Sequence, residues 1–304
     1  MEIKSAEQSR AMEILARTKK FRVWSVKTGE NLQVNHQFER RSSSSVVVVG
    51  GRKVTVSDVA RVAALMYSVS LDCATVEKID SDLLHLEHKD DVSFTEINKS
   101  SENNATYHDV SICRAALFAR IVSLMQCRSG VRSEVIETLA DMLNSNVTPN
   151  FSSPELAGLE LCAIITNAGG SCTVNGALMS STEAFTSGGI TPIGLSTSEV
   201  STIKIGQFFV TGCTCLIAAG AANLGIMIDC ISALSCDSFG ANSEPFEAVH
   251  FDTCRQHRGQ IASATNLRLL LEGSKRTLIS SSEAFSRIPQ LHGPSLEAIS
   301  STVK

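Results

Sequence analysis

Apolar residues recur at helical intervals through most of the chain beyond Asp109. Leu117, Ile121, Leu124 and Met125 follow spacings of three and four, as do Val135, Leu139, Met142 and Leu143. That is the stripe a helix buries against a core. Asn144-Ser-Asn-Val-Thr-Pro149 ends the second of these helices. Further helices are predicted over 155–168, 199–236, 259–273 and 294–302, and a short one from Ser5 to Lys20. Upstream the period changes. The β-branched run from Val46, broken by Gly50-Gly51, predicts a strand and a turn. Ser57 is placed to cap a helix through Val59, Val62, Ala63 and Met66. The polar run from Asn31 to Ser45 reads as an exposed linker, its Arg40-Arg41 and serines being either a solvated tail or a kinase site. Residues 89–108 read as a loop, and no internal repeat is present.

Residues 208–228 carry no charge. Two readings compete for them: a bilayer span, which the length just permits, and a helix buried on all sides in a helical core. Gly212, Gly220, Gly225 and Asn223 lower the hydrophobicity and no aromatic belt flanks the segment, which favours the core.

Composition narrows the classes further. With 43% hydrophobic and 19% charged residues in 304, the chain is globular rather than disordered. A net charge of −4 leaves no basic footprint for nucleic acid, and 5% aromatics leave few stacking platforms. Ten cysteines raise the question of disulfides. Cys113, Cys127, Cys162, Cys213, Cys215 and Cys230 sit in apolar stretches, and MEIKSAEQSR lacks the apolar core of a secretory leader. Reduced, buried thiols in a cytoplasmic protein are therefore expected. Cys213-Thr-Cys215 with Cys230 and Cys236 lacks the paired spacing of a structural zinc site, and His250 and His257 add no ligand pattern. The expectation is a chain without metal, nucleic-acid or membrane partners.

Several fragments, in order, resemble one family. They are Val48-Val-Gly-Gly-Arg-Lys-Val-Thr-Val, Arg114-Ala-Ala-Leu-Phe-Ala-Arg120, Ser129-Gly-Val-Arg132 and Ile190-Thr-Pro-Ile-Gly-Leu195 with Glu199. Arg255-Gln-His-Arg-Gly-Gln260 leading to Asn266, and Pro289-Gln-Leu-His-Gly-Pro294, complete the series. Together they resemble the aromatic amino-acid ammonia-lyases, in wording closest to the fungal phenylalanine branch. The resemblance runs over 46–304, so residues 1–45 are expected to be an N-terminal extension and linker. It implies a mainly α fold, a long helical-bundle core of the ammonia-lyase type, incomplete at the C-terminus. It also implies a homotetramer, or a hetero-oligomer with lyase subunits. The family reaction takes L-phenylalanine to trans-cinnamate and ammonia, an entry to phenylpropanoid metabolism.

That reaction uses a methylidene-imidazolone electrophile made from an internal Ala-Ser-Gly, whose glycine amide nitrogen closes the ring. Here Ser152-Ser153-Pro154 stands at that place, and Ala-Ser-Gly occurs nowhere in the chain. Proline has no backbone N–H, so the group is not expected to form and no cofactor is expected. Ser152 and Ser153 read instead as capping residues before Glu155. The family's catalytic-tyrosine loop has no counterpart around Tyr107. Its Asn-Gly-Thr reads Ile205-Gly206-Gln207, and its later Tyr and Arg appear as Glu283 and Ser286. Arg287, one position on, is either a substrate-carboxylate binder or a surface arginine. The expectation is an impaired lyase or a non-catalytic partner of an intact one.

Overall fold

The computed structural model describes residues 22–24, 31–33, 45–83, 109–127, 129–254, 257–274 and 283–303. The helix expected at Ser5–Lys20, the loop at 89–108 and Tyr107 lie outside them. Two units emerge, Ser44–Ile217 and Met1–Ser43 with Ala218–Lys304.

An antiparallel hairpin pairs β1 (Arg22–Trp24) with β2 (Asn31–Gln33), so the start of the expected linker is a strand. In the Ser44–Ile217 unit, β3 (Val46–Val49) and β4 (Ser68–Leu71) pair in parallel, joined by α1 (Val56–Ala64). The cap of α1 is Thr55, not Ser57. Thr55 Oγ1 accepts from the Asp58 N–H at 3.3 Å, while the Asp58 carboxylate accepts from the Thr55 N–H at 3.1 Å. This reciprocal arrangement satisfies two orphan donors at once. The far edge of β4 is covered by one side chain: Asn144 accepts from the Val69 N–H at 2.8 Å and donates to the Val69 carbonyl at 3.0 Å.

After α2 (Cys73–Leu83) come α3 (Val110–Gln126) and α4 (Ser133–Asn144), the helices read from periodicity. Leu117, Ile121, Leu124, Val135, Leu139, Met142 and Leu143 are all buried, so the stripes meet in the core. The antiparallel sheet β5 (Val147–Pro149), β6 (Ser171–Val174) and β7 (Ala177–Ser180) encloses α5 (Ala157–Ile165) in sequence, and α6 (Ser181–Gly188) follows it. The single helix expected over 199–236 is two, α7 (Thr197–Lys204) and α8 (Phe208–Phe239). Gly206, at φ +111°, breaks them in a conformation that side chains resist.

In the other unit, α8 continues to Phe239 and packs with α9 (Arg258–Leu271) around Cys230, Ala233, Cys236, Leu267 and Leu270. A one-turn helix α10 (Glu283–Ser286) precedes α11 (Ile288–Thr302). α9 and α11 cross where two glycines meet: a Cβ on Gly259 would lie 2.2 Å from the Gly293 carbonyl oxygen. The expectation that 208–228 is buried on all sides is not met. In α8, Ile217 is 71% exposed and Leu224 58%, with Val210, Met227, Ile228 and Ile231 also open. By length and composition alone this helix is long and apolar enough to cross a membrane.

Candidate functional site

Phe151, Ser152, Ser153 and Pro154 link β5 to α5. Phe151 is fully buried and anchors the turn, its ring edge-on to Phe208 at 6.1 Å and Phe209 at 5.7 Å. The next residue is held by a carboxylate: the Ser152 N–H donates to Glu160 at 2.9 Å, and its hydroxyl donates to the other Glu160 oxygen. Ser153 Oγ accepts from the Leu156 N–H at 3.2 Å and its carbonyl from the Ala157 N–H at 3.1 Å, which winds the chain into α5. Pro154 stands in that turn with no hydrogen to give.

Beside this turn lies Arg120, buried and with its guanidinium 5.5 Å from the Phe208 ring centroid. It donates to the Thr202 carbonyl in the last turn of α7 and to Ser123 Oγ at 3.3 Å. Its Nε has no acceptor among the described residues. Arg114, one α3 turn and a half earlier, is more deeply buried. It donates to the Val62 carbonyl at 3.3 Å, the Leu143 carbonyl at 3.1 Å and Asn146 Oδ1 at 3.3 Å. Each arginine thus sits at helix C-termini, where the dipole is negative, and shares the Leu143 or Thr202 carbonyl with a backbone N–H. Burial lowers the pKa of both guanidiniums.

A third arginine supports the approach to α7. Arg132 clamps Glu199 with two parallel bonds of 2.8 Å and 3.0 Å, its backbone N–H adding a third at 3.1 Å. Glu199 also accepts from the Ser196 N–H at 2.9 Å and is 0% exposed. Burial alone raises its carboxyl pKa, but the bonds from Arg132 and Ser196 together outweigh that and hold it below the ordinary value.

The Ile205-Gly206-Gln207 segment lies between α7 and α8, with Ile205 exposed. Arg287 lies in the other unit, at the N-cap of α11. It pairs with Glu283 and lines an open cleft of about 480 Å³ with Glu244, His250, Phe251, Cys254 and Gln290. Ser152, Ser153 and Pro154 belong to the Ser44–Ile217 unit, and Glu283 and Arg287 pair within the other.

One cluster escaped the sequence reading. Asp229 of α8, fully buried, accepts from Ser263 Oγ at 2.7 Å and Asn266 Nδ2 at 2.8 Å, both on α9. His292 Nδ1 of α11 lies 2.8 Å from the same carboxylate. Three helices meet on one charge. The signal was available: Asp229 is the first charged residue after an uncharged run of more than twenty residues. Its isolation there demands partners.

Thiol placement is mixed. All ten cysteines are free; Cys113, Cys162, Cys172, Cys230 and Cys236 are buried, but Cys127, expected inside, is exposed at the end of α3. Among the described residues no three His, Cys, Asp or Glu side chains gather as a metal site.

Comparison with known proteins places this arrangement. The family profile described as aromatic amino acid lyase matches residues 97–304. Histidine ammonia-lyase from Streptococcus sanguinis is 32% identical over 199 residues, covering 61% of this chain and 39% of the relative. Histidine ammonia-lyase 2 of Fusobacterium nucleatum is 33% identical over 62% of this chain and 39% of its own length. The chain therefore spans about two-fifths of the relatives it matches. These sequence matches lie with bacterial histidine ammonia-lyases, so the expected fungal phenylalanine branch is not what they establish. Among solved structures, tyrosine aminomutase from Streptomyces globisporus aligns with a TM-score of 0.72 at 22% identity, over 83% of this chain and 59% of that one. Phenylalanine ammonia lyase from Rhodosporidium toruloides aligns at 0.68 and 20%, over 87% and 46%. The helical fold is shared, and the profile match spans more than half of the sequence: the chain belongs to the aromatic amino acid lyase family.

Proposed function

We propose that this chain is a catalytically impaired lyase homologue, keeping the family's helical core without the electrophile on which deamination of an aromatic amino acid depends. One observation carries the reading. The position whose amide nitrogen must close the imidazolone ring is Pro154, and a proline nitrogen has no proton to lose. The surrounding groups do not fit that cyclisation either: Ser152 is bound at both its N–H and its hydroxyl by Glu160, and Ser153 Oγ holds the Leu156 N–H. No other cofactor is invoked. Arg287, the remaining candidate for a substrate carboxylate, is already paired with Glu283. What the chain retains is a surface for association, and it acts in the cytoplasm as a homo-oligomer or beside intact lyase subunits.

The test is direct. Purified protein at high concentration is incubated separately with L-phenylalanine and L-histidine, and the conjugated acids are followed by ultraviolet absorbance. No product is expected, and the peptide carrying Pro154 keeps its unmodified mass. Product formation, or dehydration of that peptide, overturns the proposal. A second reading, an active lyase, is favoured by the 32% identity to histidine ammonia-lyase. It predicts turnover of L-histidine rather than L-phenylalanine in the same assay.

A further inference from the structure

Cys254 and His250 both line the cleft of about 480 Å³ beside Arg287, and the proposed function uses neither. They come from one π-helical turn, Val249–Thr253, with His250 inside it and Cys254 as its C-cap. Such turns widen a helix to an i→i+5 pattern and recur at functional sites. Here the turn brings an imidazole and a thiol, four residues apart, to the same cleft. Both are exposed, while Phe251 between them is buried and anchors the turn.

The rest of the lining sets the kind of ligand. Arg287 is paired with Glu283, so those two charges largely cancel. Glu244 remains as a carboxylate in the cleft, bonded to Asn242 Nδ2 at 3.3 Å, and Ser286 and Gln290 add neutral polar groups. A net negative charge there favours a ligand that carries an ammonium group. A second cleft, of about 380 Å³, gives an internal contrast. Cys73 lines it with Glu77, Glu137 and Asp141, so a thiol and carboxylates meet there without an imidazole.

We infer that Cys254, with His250 as its base, is a thiol-exchange site for small disulfides bearing an ammonium group. His250 takes the proton from Cys254 Sγ. The resulting thiolate is the nucleophilic form. It attacks one sulfur of the ligand, and the ligand's S–S bond breaks as the new one forms. The other sulfur leaves with the bonding pair and takes the proton from the imidazolium. One disulfide is exchanged for another, with no outside oxidant. Cys254 ends as a mixed disulfide whose ammonium group rests against Glu244. A positioned base contributes at least about tenfold to such a proton transfer, while attraction to an exposed carboxylate contributes only about threefold. Cys254 therefore outpaces Cys73 despite the three carboxylates beside the latter. The inference is independent of the lyase reading: turnover of an amino acid would refute that reading and leave the thiol exchange standing.

Exchange kinetics on the full chain test it. The reduced protein is mixed with cystamine at neutral pH, and the adducts are placed by intact mass and peptide mapping. Cys254 is the first thiol modified, ahead of the other exposed thiols, Cys73 and Cys127. Dithiodipropionate, which has a carboxylate where cystamine has its ammonium group, reacts at Cys254 about threefold more slowly. His250→Gln keeps the helical circular dichroism and slows the Cys254 adduct at least about tenfold, with the rates at Cys73 and Cys127 unchanged. Glu244→Gln removes the preference between the two disulfides. Modification of Cys73 or Cys127 as fast as Cys254 overturns the inference, a comparison made within the wild type. So does an unchanged Cys254 rate in His250→Gln, or equal wild-type rates with the two disulfides.

Discussion

Single charges in the interior set the terms at the residue scale. Arg114, Arg120, Glu199 and Asp229 are all buried, and each is held by several hydrogen bonds rather than left to a bare Coulomb pair. Removing one member of such a pair strands the other, which costs about 3–5 kcal/mol. Glu199→Gln is therefore expected to lower stability by about 3 kcal/mol at neutral pH, read from urea midpoints. The sign of its pH dependence follows from the depressed carboxyl pKa. The wild type keeps this contribution in full above the ordinary carboxylate value and loses it as pH falls through the lower folded value. The two proteins should then converge in acid, and a constant gap down to the acid transition contradicts the assignment. Asp229→Ala leaves Ser263, Asn266 and His292 without their common acceptor. A loss of about 3 kcal/mol is expected, against at most 1 kcal/mol if the cluster is exchangeable with water. At this scale the missing N–H at Pro154 was legible because it is a property of the residue itself. The partners of Arg114 and Asp229 were not, because they come from helices distant in sequence, Leu143 and His292 among them.

Elements differ in how plainly they announce themselves. α4 follows from periodicity because one broad face of it is buried, and α3, buried nearly all round, still keeps the interval from Leu117 to Met125. The sheet β5–β6–β7 did not, since strands of three or four residues are too short for an alternating pattern to register. A clue was nevertheless present. Asn175-Gly176 lies between β6 and β7 with φ +50° and +84°, the two-residue hairpin turn that this dipeptide favours. The break between α7 and α8 was equally readable at Gly206, but the apolar run that follows it concealed it. Helix crossings are the least visible from sequence. Gly259 reads as an ordinary helical residue until the Gly293 carbonyl is found against it. Gly259→Ala gains helix propensity of about 1 kcal/mol, yet the clash at 2.2 Å with backbone forces α9 and α11 apart. A net loss of about 2 kcal/mol is expected, measured as a fall in the thermal midpoint. A stabilised variant would mean the crossing is looser than described.

For the molecule as a whole, thiol reactivity maps the interior. Burial pushes the thiols of Cys162 and Cys172 up to about 12 and of Cys113, Cys230 and Cys236 to about 11. These stay protonated at pH 8 and, being shielded as well, should react with Ellman's reagent only on unfolding. Cys73, Cys127 and Cys254 are exposed and should react in the native state. A fast phase that includes the five buried thiols would refute the packing of both cores. The overall helical character was legible because most of the chain repeats at helical intervals. The exposure of α8 was not, because an uncharged run looks the same whether its partner is the same chain or another. The Asn144 amide has a similar reach. By matching both polar groups of Val69, it occupies the place of a neighbouring strand and closes a valine-rich ribbon against further growth. An Asn144→Leu exchange would leave that ribbon open as a template, so the fault would emerge as fibrils from concentrated protein, in a variant whose turn from Phe151 to Pro154 is untouched.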